Sequence, residues 1–283
     1  MNEKTVRADG VEIATEAFGD PAHPPVLLIM GAMASMLWWP EDFCRRLAAR
    51  GRYVIRYDNR DTGLSTTTPP GEPDYGFDDM ADDAIRVLDG YGLGRAHLVG
   101  MSLGGMIAQI AALAHPGRVA SLTAISTSPV GTDTSHLPQT TAAYLEHAAT
   151  GESVDWTDRS QVIDFVLRDV RAIAGTAHPH DPAAARRLIE RDHDRARSFA
   201  SATNHFMLKG SDRWRGRLGE LRAPLLVIHG TADPIFPVEH GAAFATVVPG
   251  ARLVRIEGGG HELHPADWDV IVGAITEHTA AAS

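Results

Sequence analysis

Three residues in this chain, Ser102, Asp233 and His261, have the types and the order needed for nucleophilic catalysis. A serine hydroxyl attacks poorly until a positioned imidazole takes its proton. The imidazole in turn needs a carboxylate to fix its tautomer and orientation. Ser102 stands in "LVGMSLGG", a G-x-S-x-G framed by Gly100 and Gly104, Asp233 in "LVIHGTADPIFP" and His261 in "RIEGGGHEL". Acting together, they would support acyl transfer through a covalent acyl-enzyme. No single one of them decides the matter. With 27 glycines a G-x-S-x-G arises readily by chance, serine is a favoured helix cap, Asp-Pro pairs mark turns, and isolated loop histidines are common.

Their surroundings carry more weight. "AHLVGM" reads as a strand and "LGGMIAQIAALAHPG" as a helix, leaving Ser102 on a sharp turn with no room for a loop. Such a turn lifts Oγ clear of a sheet, at a helix N-terminus that favours negative charge. Asp233 follows the strand "APLLVIHG", and Pro234 stops a helix there. His261 follows the strand "ARLVRIEG" through three glycines, which read as a flexible loop. His264 competes for the same role, but its place before Pro265 reads as a cap for the last helix. The oxyanion of a tetrahedral intermediate needs two backbone donors. Leu103 supplies one, and Ala32, after Gly31 in "LLIMGAMAS", is the candidate for the other.

The elements that must position these residues alternate between two periods. "KTVRA" and "VEIATEAF" read as strands joined at Asp9-Gly10. "PVLLIM", "YVIRYD", "AHLVGM" and "VASLTAISTS" are further strands separated by helical patterns. This order predicts an α/β fold with a mostly parallel sheet flanked by helices. From residue 131 to 215 no strand is evident, and three helical stretches are ("TTAAYLEHAA", "SQVIDFVLRDVRAIAG" and "DPAAARRLIERDHDRARSFASATNHFML"). We therefore expect a core of residues 1–130 and 216–283, split by a helical cap at 131–215 that roofs the strand ends. Met33 and Trp38 are candidate substrate contacts, and Tyr144, Trp156 and Phe206 could line the same pocket. Phe165, in a stripe with Val162, Val166, Asp169 and Val170, reads as packing.

Composition narrows the function classes. The 283 residues carry 26 Lys and Arg against 36 Asp and Glu, a net charge of −10, and no basic tract. That disfavours nucleic acid. The N-terminal stretch has no apolar run of signal-peptide length, and "PPVLLIMGAMASMLWWP" is too broken to span a membrane. One cysteine, Cys44, excludes an intrachain disulfide and reads as a core thiol. These features fit a cytoplasmic protein. There is no H-E-x-x-H, "HPHDP" reads as a loop, and "DGYGLG" precedes a strand instead of following one. Neither a metal nor a cofactor is expected, and the expected partner is a small molecule.

The motifs "LVGMSLGG", "LLIMGAMAS", "RYDNRDTGLST", "LVIHGTADPIFP" and "IEGGGHEL", in this order, resemble the α/β-hydrolase superfamily. The stretch "WWPEDFCRRLAARGRYVIRYDNRDTGLSTT" is similar to the group of polyketide-tailoring esterases typified by aclacinomycin methylesterase. The resemblance implies a serine esterase acting on a methyl ester or lactone of an apolar natural product, with Ser102, Asp233 and His261 as its triad. Two departures stand out. Met30-Gly31 replaces the commoner His-Gly, and Asp61 occupies a position that is usually glycine. A serine at the elbow argues against haloalkane dehalogenase and epoxide hydrolase chemistry. A binding or cofactor-free tailoring protein with an idle triad is the alternative on the same fold.

Overall fold

The computed structural model describes residues 3–210 and 212–282. Asp9 and Gly10, both at positive φ, close a two-residue hairpin between β1 (Glu3–Ala8) and β2 (Val11–Phe18). This is the backbone that a type I′ turn requires. The remaining strands are β3 (Pro25–Ile29), β4 (Tyr53–Tyr57), β5 (Ala96–Met101), β6 (Val119–Ile125), β7 (Leu225–Gly230) and β8 (Arg252–Ile256). They form one sheet in the order β1-β2-β4-β3-β5-β6-β7-β8. Both pairings of β2 are antiparallel, and every pairing from β4 to β8 is parallel.

Five helices pack on the sheet: α1 (Glu41–Ala49), α2 (Phe77–Gly90), α3 (Leu103–Ala114), α7 (Val238–Val247) and α8 (Trp268–Ala281). Alternate residues of each strand serve opposite faces. Val26 and Leu28 join Phe43, Cys44 and Leu47 of α1 and Ile271 and Ile275 of α8. Leu27 and Ile29 join Ala84 and Leu88 of α2 and Ile107 and Ala111 of α3. A strand covered on both faces has to be apolar throughout, and this is why "PVLLIM" shows no polar alternation. Cys44 is fully buried, and burial pushes its thiol up to about 12.

Between β6 and β7 the described residues contain α4 (Ala142–Ala149), α5 (Arg159–Ile173) and α6 (Pro182–Arg195), and no strand. Asp181 caps α6 with Pro182 as its first residue. The long pattern after Asp181 forms a single helix only as far as Arg195, and the rest closes in a 3-10 turn at Ala200–Phe206. Val162, Ile163, Phe165, Val166 and Ile189 form a hydrophobic cluster separate from the two on the sheet, so Phe165 is a packing residue. Trp38 packs against both this cluster and the α1/α8 side of the core. Among the described residues no helix is long and apolar enough to cross a membrane.

Candidate active site

Met33, Asp61, Ser102 and Ser126 all have positive φ, at +61°, +64°, +53° and +44°. They follow β3, β4, β5 and β6, so strained backbone collects at the carboxyl edge of the parallel strands. Strain of this kind persists only where the surroundings enforce it. At Ser102 the enforcement is visible. A Cβ on Gly100 would lie 2.1 Å from Gly104 O, and one on Gly104 would lie 2.1 Å from Ile29 O. Only glycine lets β5 turn straight into α3 and lets α3 pack against β3. Ser102 is the residue before α3, yet its side chain makes no capping bond, which removes the cap reading. Its backbone is held instead: the N–H donates to Ile125 O, and the carbonyl accepts from Thr127 Oγ1 at 2.8 Å.

The candidate oxyanion turn lies against this serine. A Cβ on Gly31 would stand 3.2 Å from Ser102 Cβ and 3.7 Å from its Oγ. Ala32 is the next residue, and Leu103 is the first residue of α3, where N–H groups have no acceptor within the helix. The Met33 N–H donates to Nδ1 of buried His205, whose Nε2 donates to Arg60 O. That pattern makes His205 the neutral Nε2–H tautomer, and burial lowers its pKa accordingly.

Asp233 and His261 are in contact, with His261 Nδ1–H donating to Asp233 Oδ2 at 2.8 Å. Asp233 Oδ1 accepts the N–H groups of Ile235 and Phe236, both at 2.9 Å, so the turn locks the carboxylate in place. Burial alone would raise this carboxyl. The His261 imidazole and its hydrogen bond, helped by His229, outweigh burial and hold Asp233 below the usual carboxylate range. Because Nδ1 is bound to Asp233, Nε2 of His261 is left as the basic nitrogen.

The glycines before His261 have a packing role that the sequence reading missed. A Cβ on Gly260 would meet Ile173 O at 2.3 Å and Gly175 N at 2.4 Å, and one on Gly230 would meet Gly259 O at 2.3 Å. His261 N–H donates to Ile173 O at 2.9 Å, and Gly175 N–H donates to Glu262 Oε1 at 2.7 Å. The end of α5 therefore clasps the histidine loop, which is tightly packed and not free. His264 accepts the Ala266 N–H and caps the turn before α8, as its place before Pro265 implied.

Other expected residues fall as follows. Trp38 Nε1 donates to Asp192 Oδ2 at 2.6 Å, tying α6 to the segment that follows β3. Burial pushes the Asp192 carboxyl up to about 6. Asp58 accepts from Met36 N–H, Leu64 N–H and Arg195, and Arg60 grips Asp83 with two hydrogen bonds. Asp61 holds its positive φ with a carboxylate bonded to Thr68, Tyr75 and Asn204. Phe206 is 69% exposed and takes no part in a buried lining. Among the described residues one group has metal-binding geometry: donor atoms of His178, His264 and Asp267 lie within 4.8 Å of one another. His178 already donates to Asp267 there, and neither is among Ser102, Asp233 and His261. A cleft of about 610 Å³ beside α3, lined by Phe77, Met106, Val130 and Trp214 among others, includes none of Ser102, Asp233 and His261.

The α/β-hydrolase fold family model matches residues 24–266. The chain belongs to the α/β-hydrolase family. This α/β hydrolase is 35% identical, over alignments covering all of both chains, to rhodomycin D methylesterase DauP of Streptomyces sp. strain C5. It is equally similar to rhodomycin D methylesterase DnrP of Streptomyces peucetius. The resemblance read from "WWPEDFCRRLAARGRYVIRYDNRDTGLSTT" thus extends along the full chain. Among solved structures, esterase RhEst1 from Rhodococcus sp. ECU1013 superposes with a TM-score of 0.81, at 23% identity and full coverage of both chains, a likeness of fold.

Proposed function

We propose that this α/β hydrolase is a serine carboxylesterase that cleaves a methyl ester or lactone of an apolar small molecule. The observation that carries the reading is Ser102, held at φ +53° at a strand-to-helix junction, its side chain unused as a cap and Gly31 packed against it. The two full-length relatives named as methylesterases support the methyl ester over other acyl derivatives.

In this mechanism Ser102 Oγ attacks the ester carbonyl while His261 Nε2 takes its proton. Asp233 keeps Nδ1–H in place and stabilises the imidazolium. The N–H groups of Ala32 and Leu103 receive the developing oxyanion. Collapse breaks the acyl C–O bond, and the imidazolium gives its proton to the departing methoxide or ring alkoxide, which leaves as methanol or the ring-opened hydroxyl. Water, deprotonated by His261, then attacks the acyl-enzyme, releasing the carboxylic acid and restoring Ser102. Residues 131–215 act as a cap over this site. Met33 and Trp38 line the pocket wall beside the oxyanion turn, and the chemistry calls for no cofactor or metal.

The test is intact mass and peptide mapping after a phosphonyl fluoride probe, paired with turnover of simple methyl esters. One adduct on Ser102, lost in Ser102→Ala and His261→Ala, is expected. An unlabelled, folded protein without turnover would overturn the reading.

A further inference from the structure

Helices α4 and α5 meet the triad through backbone bonds. Thr141, the cap of α4, donates its N–H to Pro234 O, next to Asp233, and α5 ends at Ile173, whose carbonyl accepts from His261. Tyr144 is the third residue of α4, and its N–H donates to Thr141 Oγ1. Asp169 lies one turn before Ile173 and shares its helix face. The helix ends that carry these two residues are thus bonded to the loops of Asp233 and His261, near enough that the charge of His261 reaches Asp169 and that of Asp233 reaches Tyr144.

These two residues and His147 form one polar cluster. Tyr144 OH donates to Asp169 Oδ1 at 3.2 Å, and His147 Nε2 donates to the same oxygen at 3.1 Å. The His147 ring is stacked on Phe165 at 5.1 Å, and Trp156 braces Phe165 edge-on. The carboxylate is thus fixed in direction by aromatic packing beneath it. Both donors use Oδ1. Among the described residues no hydrogen bond reaches Oδ2, and the Asp169 side chain retains 28% exposure. A carboxylate oxygen held this way beside an apolar cluster is costly to cover with an apolar ligand and favourable to cover with a hydrogen-bond donor.

We propose that Oδ2 of Asp169, oriented by Tyr144 and His147, is a binding subsite for a hydroxyl group on the substrate, so that the preferred ester carries an alcohol or phenol as well as its acyl group. The proposal rests on the esterase reading for the location of the ester. The cluster selects by leaving an acceptor unpaired when the hydroxyl is missing, and a hydrogen bond to a charged group is worth about tenfold or more in affinity.

Binding is measured by calorimetry in Ser102→Ala, which keeps esters intact, using methyl phenylacetate and its 2-, 3- and 4-hydroxy derivatives. At least one hydroxylated ester should bind about tenfold more tightly than the parent. In Ser102→Ala combined with Asp169→Leu, and separately with Asp169→Ala, that ratio should fall to within about twofold. A ratio near one in Ser102→Ala, a preference that survives both Asp169 variants, or no measurable binding of any hydroxylated ester would each overturn the subsite. Turnover of the same esters by the unmodified chain reads the esterase separately. Turnover without hydroxyl preference removes only the subsite, and preference without turnover removes only the esterase.

Discussion

The Met33 N–H donates to Nδ1 of His205 at 3.1 Å, across 172 residues of chain, so a side chain from between β6 and β7 fixes the turn that carries Ala32. On the proposed mechanism His205 is a positioning residue, since its ring holds the turn after β3 through Met33 and not the reacting atoms. Its other nitrogen holds Arg60 O, which ties the turn after β3 to the turn after β4.

Replacing His205 with Ala leaves a part-buried N–H of Met33 and a part-buried C=O of Arg60 without this partner, which costs about 1 kcal/mol or more of stability. Misplacing an oxyanion donor weakens the transition state more than the bound ester. His205→Ala should therefore lower kcat by about tenfold or more while KM changes little. His205→Asn keeps an acceptor near the position of Nδ1 and should recover most of kcat. Equal losses in both variants would point to a purely structural role. Steady-state kinetics with thermal melting separates the two outcomes.

Asp233→Asn should keep the fold, because an amide oxygen can still accept the Ile235 and Phe236 N–H groups. The amide nitrogen would then face His261 and favour the tautomer with hydrogen on Nε2, which cannot take the serine proton. We expect kcat to fall by about 10³–10⁴, with KM nearly unchanged. A loss of less than about tenfold would mean that Asp233 does not orient the base.

What the sequence made legible was local. The Asp9-Gly10 hairpin, the turn at Ser102 and the order of strands before Asp233 and His261 are properties of contiguous residues and their period. Tyr144 was legible only as a possible pocket residue, and His205, His147 and Asp169 not at all, because their contacts join distant segments. Asp169 looked like one member of an amphipathic stripe, and only the docking of α5 on the histidine loop gives it a direction. Gly260 shows the same limit. Glycine can mean freedom or close approach, and the partner that decides, Ile173, lies about 90 positions away.

That distinction can be measured. Gly260→Ala would drive a methyl group into the backbone at Ile173 and Gly175, where neither side is a flexible side chain. Forced overpacking of this kind costs about 1–3 kcal/mol, and the shift would also move His261. Gly117→Ala, with nothing within 4 Å of the added carbon, should be neutral or slightly stabilising. Denaturant melts of the two variants give the comparison. Equal stabilities would mean that the loop is free after all.

Buried histidines set the response to acid. His97 is 3% exposed, its Nδ1 is paired with Ser121 Oγ, and burial, with Arg52 adding to it, pushes its pKa down to about 4. Burial also lowers His205, His229 and His278. The unfolded chain takes up protons near pH 6.5, while the folded His97 refuses one until about pH 4. Stability that is fully present above pH 6.5 is therefore lost as the pH falls toward 4, because the unfolded state binds more protons across that window. For His97 alone the loss between pH 7.5 and 5 is about 2 kcal/mol. His97→Gln, which keeps a polar group beside Ser121, should lower stability at pH 7.5 yet flatten the decline by about that amount. Urea unfolding at the two pH values reads it directly, and an unchanged slope in the variant would mean that His97 titrates normally in the folded protein.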